Sequence, residues 1–184
     1  MPLKFLYCVL AMAVSLVGCK SPEARRPVQQ SSGSTISASV ERNKKLYAAE
    51  TKTIEAYMAQ DSAHAYLASP SGFWYAYDTQ ILEEQPKPVT GNEVSFTYQI
   101  RDLEGQILLS YEDIGSVNYQ VDQSQQDLIS GIREGLKLMK VQEMITLVLP
   151  SYKAYGYYGL EGKLGANVPV VVTLNLKQMS TLDN

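Results

Sequence analysis

The chain has 184 residues, 45% of them hydrophobic, with 16 lysines and arginines against 19 aspartates and glutamates, a formal net charge of -3. Without a basic cluster, that balance argues against a nucleic-acid binder and against a protein held electrostatically at a membrane surface. Two cysteines and a single histidine leave little material for thiol chemistry or a metal centre.

Residues 1–18 carry one positive charge, Lys4, and then an apolar run from Phe5 to Val17. The run is too short for a permanent transmembrane helix and reads as a signal peptide. It ends in Leu16-Val17-Gly18-Cys19, which resembles a bacterial lipobox, a small residue followed by a cysteine whose thiol accepts a diacylglycerol. The resemblance implies cleavage before Cys19, lipidation of Cys19 and a place in the cell envelope. Cys8 leaves with the signal, so the mature fold rests on packing without a disulfide. One acyl chain binds a membrane marginally, whereas several anchor durably. Lys20 stands where an aspartate would be the familiar inner-membrane retention signal, so the outer membrane, facing the periplasm, is expected.

Residues 19–40 are rich in Ser, Gln and Pro, a composition that cannot offset the entropy of ordering, and read as a flexible tether. Residues 41–68 form an N-terminal helical segment. Tyr47, Ile54, Tyr57, Met58 and Asp61 fall near one side at helical spacing, which predicts a helix from Glu41 to Gln60 docked on the following domain. His64, just after it, has no cysteine or carboxylate cluster nearby in sequence and reads as a surface or packing residue rather than a metal ligand.

Residues 69–184 form one domain, large enough to bury a core. Gly72-Phe73-Trp74-Tyr75-Ala76-Tyr77 predicts an aromatic-rich strand. Val94, Phe96, Tyr98 and Ile100 alternate with polar residues, as do Val170, Val172, Leu174 and Leu176, the period of two that buries one face of a strand. The segment 85–91 holds two prolines and a glycine and reads as a stiff turn, and Leu103-Glu104-Gly105-Gln106 as a hairpin reversal. Between Asp127 and Leu138 a helix is predicted, with Ile129, Ile132, Leu136 and Met139 on its buried face. Gly131 and Gly135 each cost a helix about 1 kcal/mol relative to alanine, so their presence implies a close backbone approach. Many strands with one short helix define an α+β half-barrel.

Several chemistries are excluded. The lone histidine lies outside the main domain, so no Ser-His-acid triad can be assembled. The glycine-rich stretch from Gly156 to Leu164 fails as a phosphate loop, because its glycine spacing is one residue too long and Leu164 replaces the required hydroxyl. Glu83-Glu84 and Glu112-Asp113 read as solvated turn charges. Any enzyme here works without a nucleophile, metal or cofactor.

Two motifs resemble the FKBP-type prolyl isomerases, at that family's spacing: Gly131-Ile132-Arg133-Glu134-Gly135-Leu136-Lys137-Leu138-Met139, and Ala154-Tyr155-Gly156 after an apolar strand. The resemblance runs over about residues 69–179 and implies an antiparallel sheet wrapped around one short helix. It implies Tyr155 as hydrogen-bond donor and Tyr98 as wall tyrosine, the two catalytic candidates. Tyr119, Ile129, Ile132, Leu108, Leu164 and Val172 become the substrate-binding candidates, Ile129 through its backbone amide and Leu164 in the flap before the last strand. The chain departs from the family pattern at three places. Leu108-Leu109 stands for phenylalanine-aspartate, Ile132 for an indole floor and Val172 for an aromatic, which together imply weaker catalysis.

The aromatic strand, the tyrosine-rich turn and the lipobox together resemble the gliding-motility-associated FKBP-type lipoproteins of Bacteroidota. The expected function is therefore peptidyl-prolyl isomerisation by an outer-membrane-anchored periplasmic folding assistant. Its expected partners are unfolded or partly folded proline-containing envelope proteins and the membrane itself, through the lipid. A non-catalytic chaperone or scaffold that uses Tyr157 and Tyr158 to hold a partner is the alternative.

Overall fold

The computed structural model describes residues 33–123 and 128–180. The signal peptide, Cys19 and most of the tether lie outside the described residues. Helix α1 spans Gly33–Gln60. Its C-terminal limit is the expected one, but it starts eight residues before Glu41, inside the segment read as tether. Once a helix is nucleated, each added residue gains a hydrogen bond, so a polar stretch next to a good helix former is carried along.

The remaining elements are β1 (Leu67–Ala68), β2 (Trp74–Thr79), β3 (Glu93–Arg101), β4 (Ile107–Leu109), α2 (Tyr111–Ile114), β5 (Val117–Gln120), α3 (Ser130–Leu136), β6 (Met144–Leu149) and β7 (Val170–Ser180). A 3-10 turn, Ser151–Lys153, follows β6. The strands form one antiparallel sheet in the order β1-β2-β6-β7-β3-β4, with β5 also on β3. The long alternating strands β3 and β7 pair through Phe96↔Leu176, Tyr98↔Leu174 and Ile100↔Val172, so their inward faces coincide. The hairpin at 103–106 closes where expected, with the Asp102 amide donating to the Gln106 carbonyl at 3.0 Å.

Helix α3 is shorter than its periodic pattern, and Met139 is buried beyond its end. The helix lies close on β6 and β7. A Cβ on Gly131 would overlap the Leu149 methyls, and one on Gly135 would stand 2.6 Å from Leu147 Cδ1. The glycines therefore trade helix propensity for closeness to the sheet.

The core is the space between α3 and the inward face of the sheet. Phe73, Phe96, Ile132, Leu147, Val172 and Leu174 belong to it, each at most 1% exposed. Among the described residues no helix is long and apolar enough to cross a membrane.

Candidate functional site

The edge of β3 is divided. β5 pairs with it as far as Phe96↔Val117, and β4 takes it up again at Ile100↔Leu109. Between those pairings, residues 97–99 meet no strand on that side among the described residues. Tyr98 points inward at this gap, half-buried, stacked on Phe96 with ring centroids 5.8 Å apart. Burial raises its phenol pKa above the usual value.

Tyr155 arrives from the other side, on the loop after β6. The Ser151 carbonyl accepts from the amides of Ala154 at 3.0 Å and Gly156 at 2.8 Å, closing a tight turn around it. The ring packs on the apolar core. Burial pushes its phenol up to about 12, and the neighbouring Tyr98 phenol adds in the same direction. Among the described residues no hydrogen bond reaches the Tyr155 hydroxyl. The phenol is therefore a neutral, fully protonated donor at physiological pH, with its hydrogen uncommitted.

Ile129 precedes helix α3 with an extended backbone, φ -53° and ψ 141°, and its carbonyl accepts from Ile132 and Arg133. Its own amide makes no hydrogen bond among the described residues. Leu164 lies in the flap, which is pinned by reciprocal Leu160–Leu164 backbone bonds of 2.9 and 2.8 Å. Gly159 is required there, since at φ +65° a Cβ would run into the Leu164 and Gly165 carbonyls. Lys163 Nζ donates to the Leu108 carbonyl at 2.9 Å, tying the flap to β4.

The structure thus gathers Tyr98, Ile129, Tyr155 and Leu164 on one apolar cluster, each still partly open to solvent. The other four substrate-binding candidates lie beneath them. Ile132 is 1% exposed, Val172 0% and Leu108 5%. These three form the packing under the site and present almost no surface to a ligand.

Tyr119 is 1% exposed, and its hydroxyl accepts from the Asp122 amide at 2.9 Å, so it is a core residue and not a groove wall. The register explains this. Val94↔Tyr119 lies two pairs back from the gap, whereas Val117, opposite Phe96 at the end of β5, is the partly exposed residue nearest it. A strand end is set by pairing partners, which alternation alone does not reveal.

The site holds no carboxylate among the groups that perturb Tyr155. At the hairpin, Leu109 pairs with Ile100 and packs on the core where an acid was missing from the motif. What the arrangement offers is an apolar surface, with a phenol donor and a backbone amide that have no partner among the described residues.

The sequence matches the family of FKBP-type peptidyl-prolyl cis-trans isomerases over residues 84–177, just over half of the chain. The protein belongs to that family. A crystal structure of a peptidyl-prolyl cis-trans isomerase from Pseudomonas syringae pv. tomato is similar, with 25% identity and a TM-score of 0.56, covering 72% of this chain and 95% of that one. FkpA from Escherichia coli shares the fold at 20% identity and a TM-score of 0.57, covering 98% of this chain and 83% of that one. No match is found among curated proteins. The mixed architecture, a helix followed by FKBP-like strands around a short helix, is that of the family's structures.

Proposed function

We propose that the protein accelerates cis-trans exchange at X-Pro bonds in envelope proteins, anchored through Cys19 to the outer membrane and facing the periplasm. The observation that carries this reading is the pair Tyr98 and Tyr155 on an apolar cluster, with no partner for the Tyr155 hydroxyl among the described residues.

Amide resonance sets the barrier to rotation at about 18–20 kcal/mol. Uncatalysed X-Pro exchange takes tens to hundreds of seconds. The twisted amide is less polarised than the planar one, and water favours the planar form, so an apolar surface that receives the proline ring lowers the barrier. Each 1.4 kcal/mol gained there shortens the wait about tenfold. The Tyr155 hydroxyl donates to the substrate carbonyl, and the Ile129 amide binds the adjoining backbone. No bond is made or broken, so no nucleophile is needed.

The small, buried Ile132 gives a proline ring little to stack on, and Leu109 supplies no charge to orient the donors. Turnover below that of a full-motif family member follows. The lipobox and tyrosine-rich turn further support a role alongside gliding or secretion machinery of the Bacteroidota type.

In a proline-limited peptide assay on the full chain, Tyr155→Phe is expected to lower kcat/KM about tenfold or more while the fold persists. Unchanged turnover would remove Tyr155 from the mechanism.

A second reading rests on the flap. Tyr157 and Tyr158 are 77% and 93% exposed and pack edge to face at 5.8 Å, a shape suited to holding an unfolded client without catalysis. It predicts suppressed client aggregation with no change in isomer exchange. Acceleration at substoichiometric protein would count against it.

A further inference from the structure

Helix α1 lies outside the residues that match the family, yet it reaches the loop that carries Tyr155. Glu50 is only 6% exposed, and its carboxylate meets Ser151 twice. Oε2 accepts from the Ser151 amide at 2.9 Å, and Oε1 from the Ser151 hydroxyl at 2.7 Å. A carboxylate withdrawn from water is costly unless bonded in this way. Ser151, itself 1% exposed, accepts in turn through its carbonyl from Ala154 and Gly156, the two neighbours of Tyr155. The same junction is sealed by Tyr47, edge-on to Tyr152 at 5.1 Å, and by the Tyr152 hydroxyl donating to the Gly72 carbonyl at 2.7 Å.

We infer that Glu50 is a positioning residue of the isomerase site, holding Ser151 so that the backbone on both sides of Tyr155, and with it the direction of the Tyr155 hydroxyl, is fixed. The inference rests on the function proposed above. A hydrogen bond to a charged acceptor is short and directional, which suits aiming a donor better than apolar contact does. Misaiming a substrate-binding group by an ångström is enough to slow a reaction severely.

The test uses the full chain, with two readouts: peptidyl-prolyl exchange, and the nuclear magnetic resonance of ring-labelled tyrosines, where Tyr155→Phe assigns the Tyr155 signal. Glu50→Ala is expected to lower kcat about tenfold with KM little changed, and to shift or broaden the Tyr155 signal. Glu50→Gln is expected to keep both near wild type, because its oxygen can accept from the Ser151 amide while its amide donates to the Ser151 hydroxyl.

Should Glu50→Ala fail to fold, Ser151→Ala removes one of the two bonds and is expected to cost about threefold in kcat with a smaller shift of the same signal. When both single variants fold, their losses should fail to add in the double variant. A kcat and a Tyr155 signal unchanged in Glu50→Ala, or in Ser151→Ala where the first does not fold, overturn the inference. A wild-type chain without isomerase activity would instead remove the proposed function, and the Tyr155 signal would still decide the role of Glu50.

Discussion

Helix α1 is fastened to the sheet domain at two places, and the two fastenings use opposite chemistry. At Glu50 a buried carboxylate meets uncharged donors, an amide and a hydroxyl. Just past the helix end, His64 lies between two carboxylates, with Nδ1 2.7 Å from Asp61 and Nε2 2.8 Å from Asp78 on β2. Two acceptors require two N–H donors, which only the imidazolium supplies. Tyr66 also donates to Asp61 at 2.8 Å, and Thr146 to Asp78 at 2.9 Å.

Burial opposes the charge on His64, but the bonds to Asp61 and Asp78 outweigh it and raise the pKa. For Asp61 burial again works against ionisation, and the bonds from Tyr66, His64 and the Ala63 amide prevail and lower it. The difference teaches that the body of the helix is held at Glu50 by direction and its C-terminal exit by charge, and pH acts at that exit through His64 and Asp61, whose titration is displaced by folding.

The largest expected effect falls between the two fastenings. Ile54 is 0% exposed. Ile54→Ala should cost about 2–5 kcal/mol in denaturant unfolding, and a much smaller loss would show that the helix adds little to the domain.

Next in size, Glu50→Ala leaves the Ser151 amide buried without its acceptor and should cost about 1–3 kcal/mol. A cost near zero would mean that water replaces the carboxylate there.

Smaller still is the pH response at His64. A raised histidine pKa adds stability that is fully present below about pH 6.5 and is lost as pH rises through the folded value. A lowered aspartate pKa adds stability present above about pH 3.9 and lost as pH falls through the folded value. Stability from this cluster should therefore be greatest between those limits and fall by about 1 kcal/mol or less into mild alkali. His64→Gln should flatten the alkaline side of the melting profile; an unchanged slope would take His64 out of it.

The smallest effect is expected at the site itself. Tyr155→Phe removes a hydroxyl with no partner among the described residues, so stability should stay within about 0.5 kcal/mol. A larger loss would show that the hydroxyl is bonded in solution.

Much of this was legible in the chain. The alternation in 94–100 and 170–176 became β3 and β7, and the glycine pair of α3 marked the close contact with Leu147 and Leu149. Nothing in the chain sets Glu50 apart, although it sits three residues after Tyr47 and four before Ile54, on the same face of the helix. An acidic side chain on a helix reads as solvated, and only its partner, 101 residues away, makes burial tolerable. The burial of Tyr119 was illegible for the converse reason: an aromatic in a strand can face groove or core, and its place in the pairing decides.

The sequence by itself determined the N-terminal helix, the aromatic strand β2, the alternating strands β3 and β7, the short helix α3 and the family, because those depend on local periodicity and on motifs whose residues are close in the chain. Only the tertiary structure decided which tyrosine hydroxyls are spent on other groups, as at Tyr66, Tyr77 and Tyr152, and which, Tyr155 among them, have no partner among the described residues, and which carboxylates gain partners. Those outcomes depend on atoms brought together across a hundred residues, where a fraction of an ångström separates a hydrogen bond from an unsatisfied group.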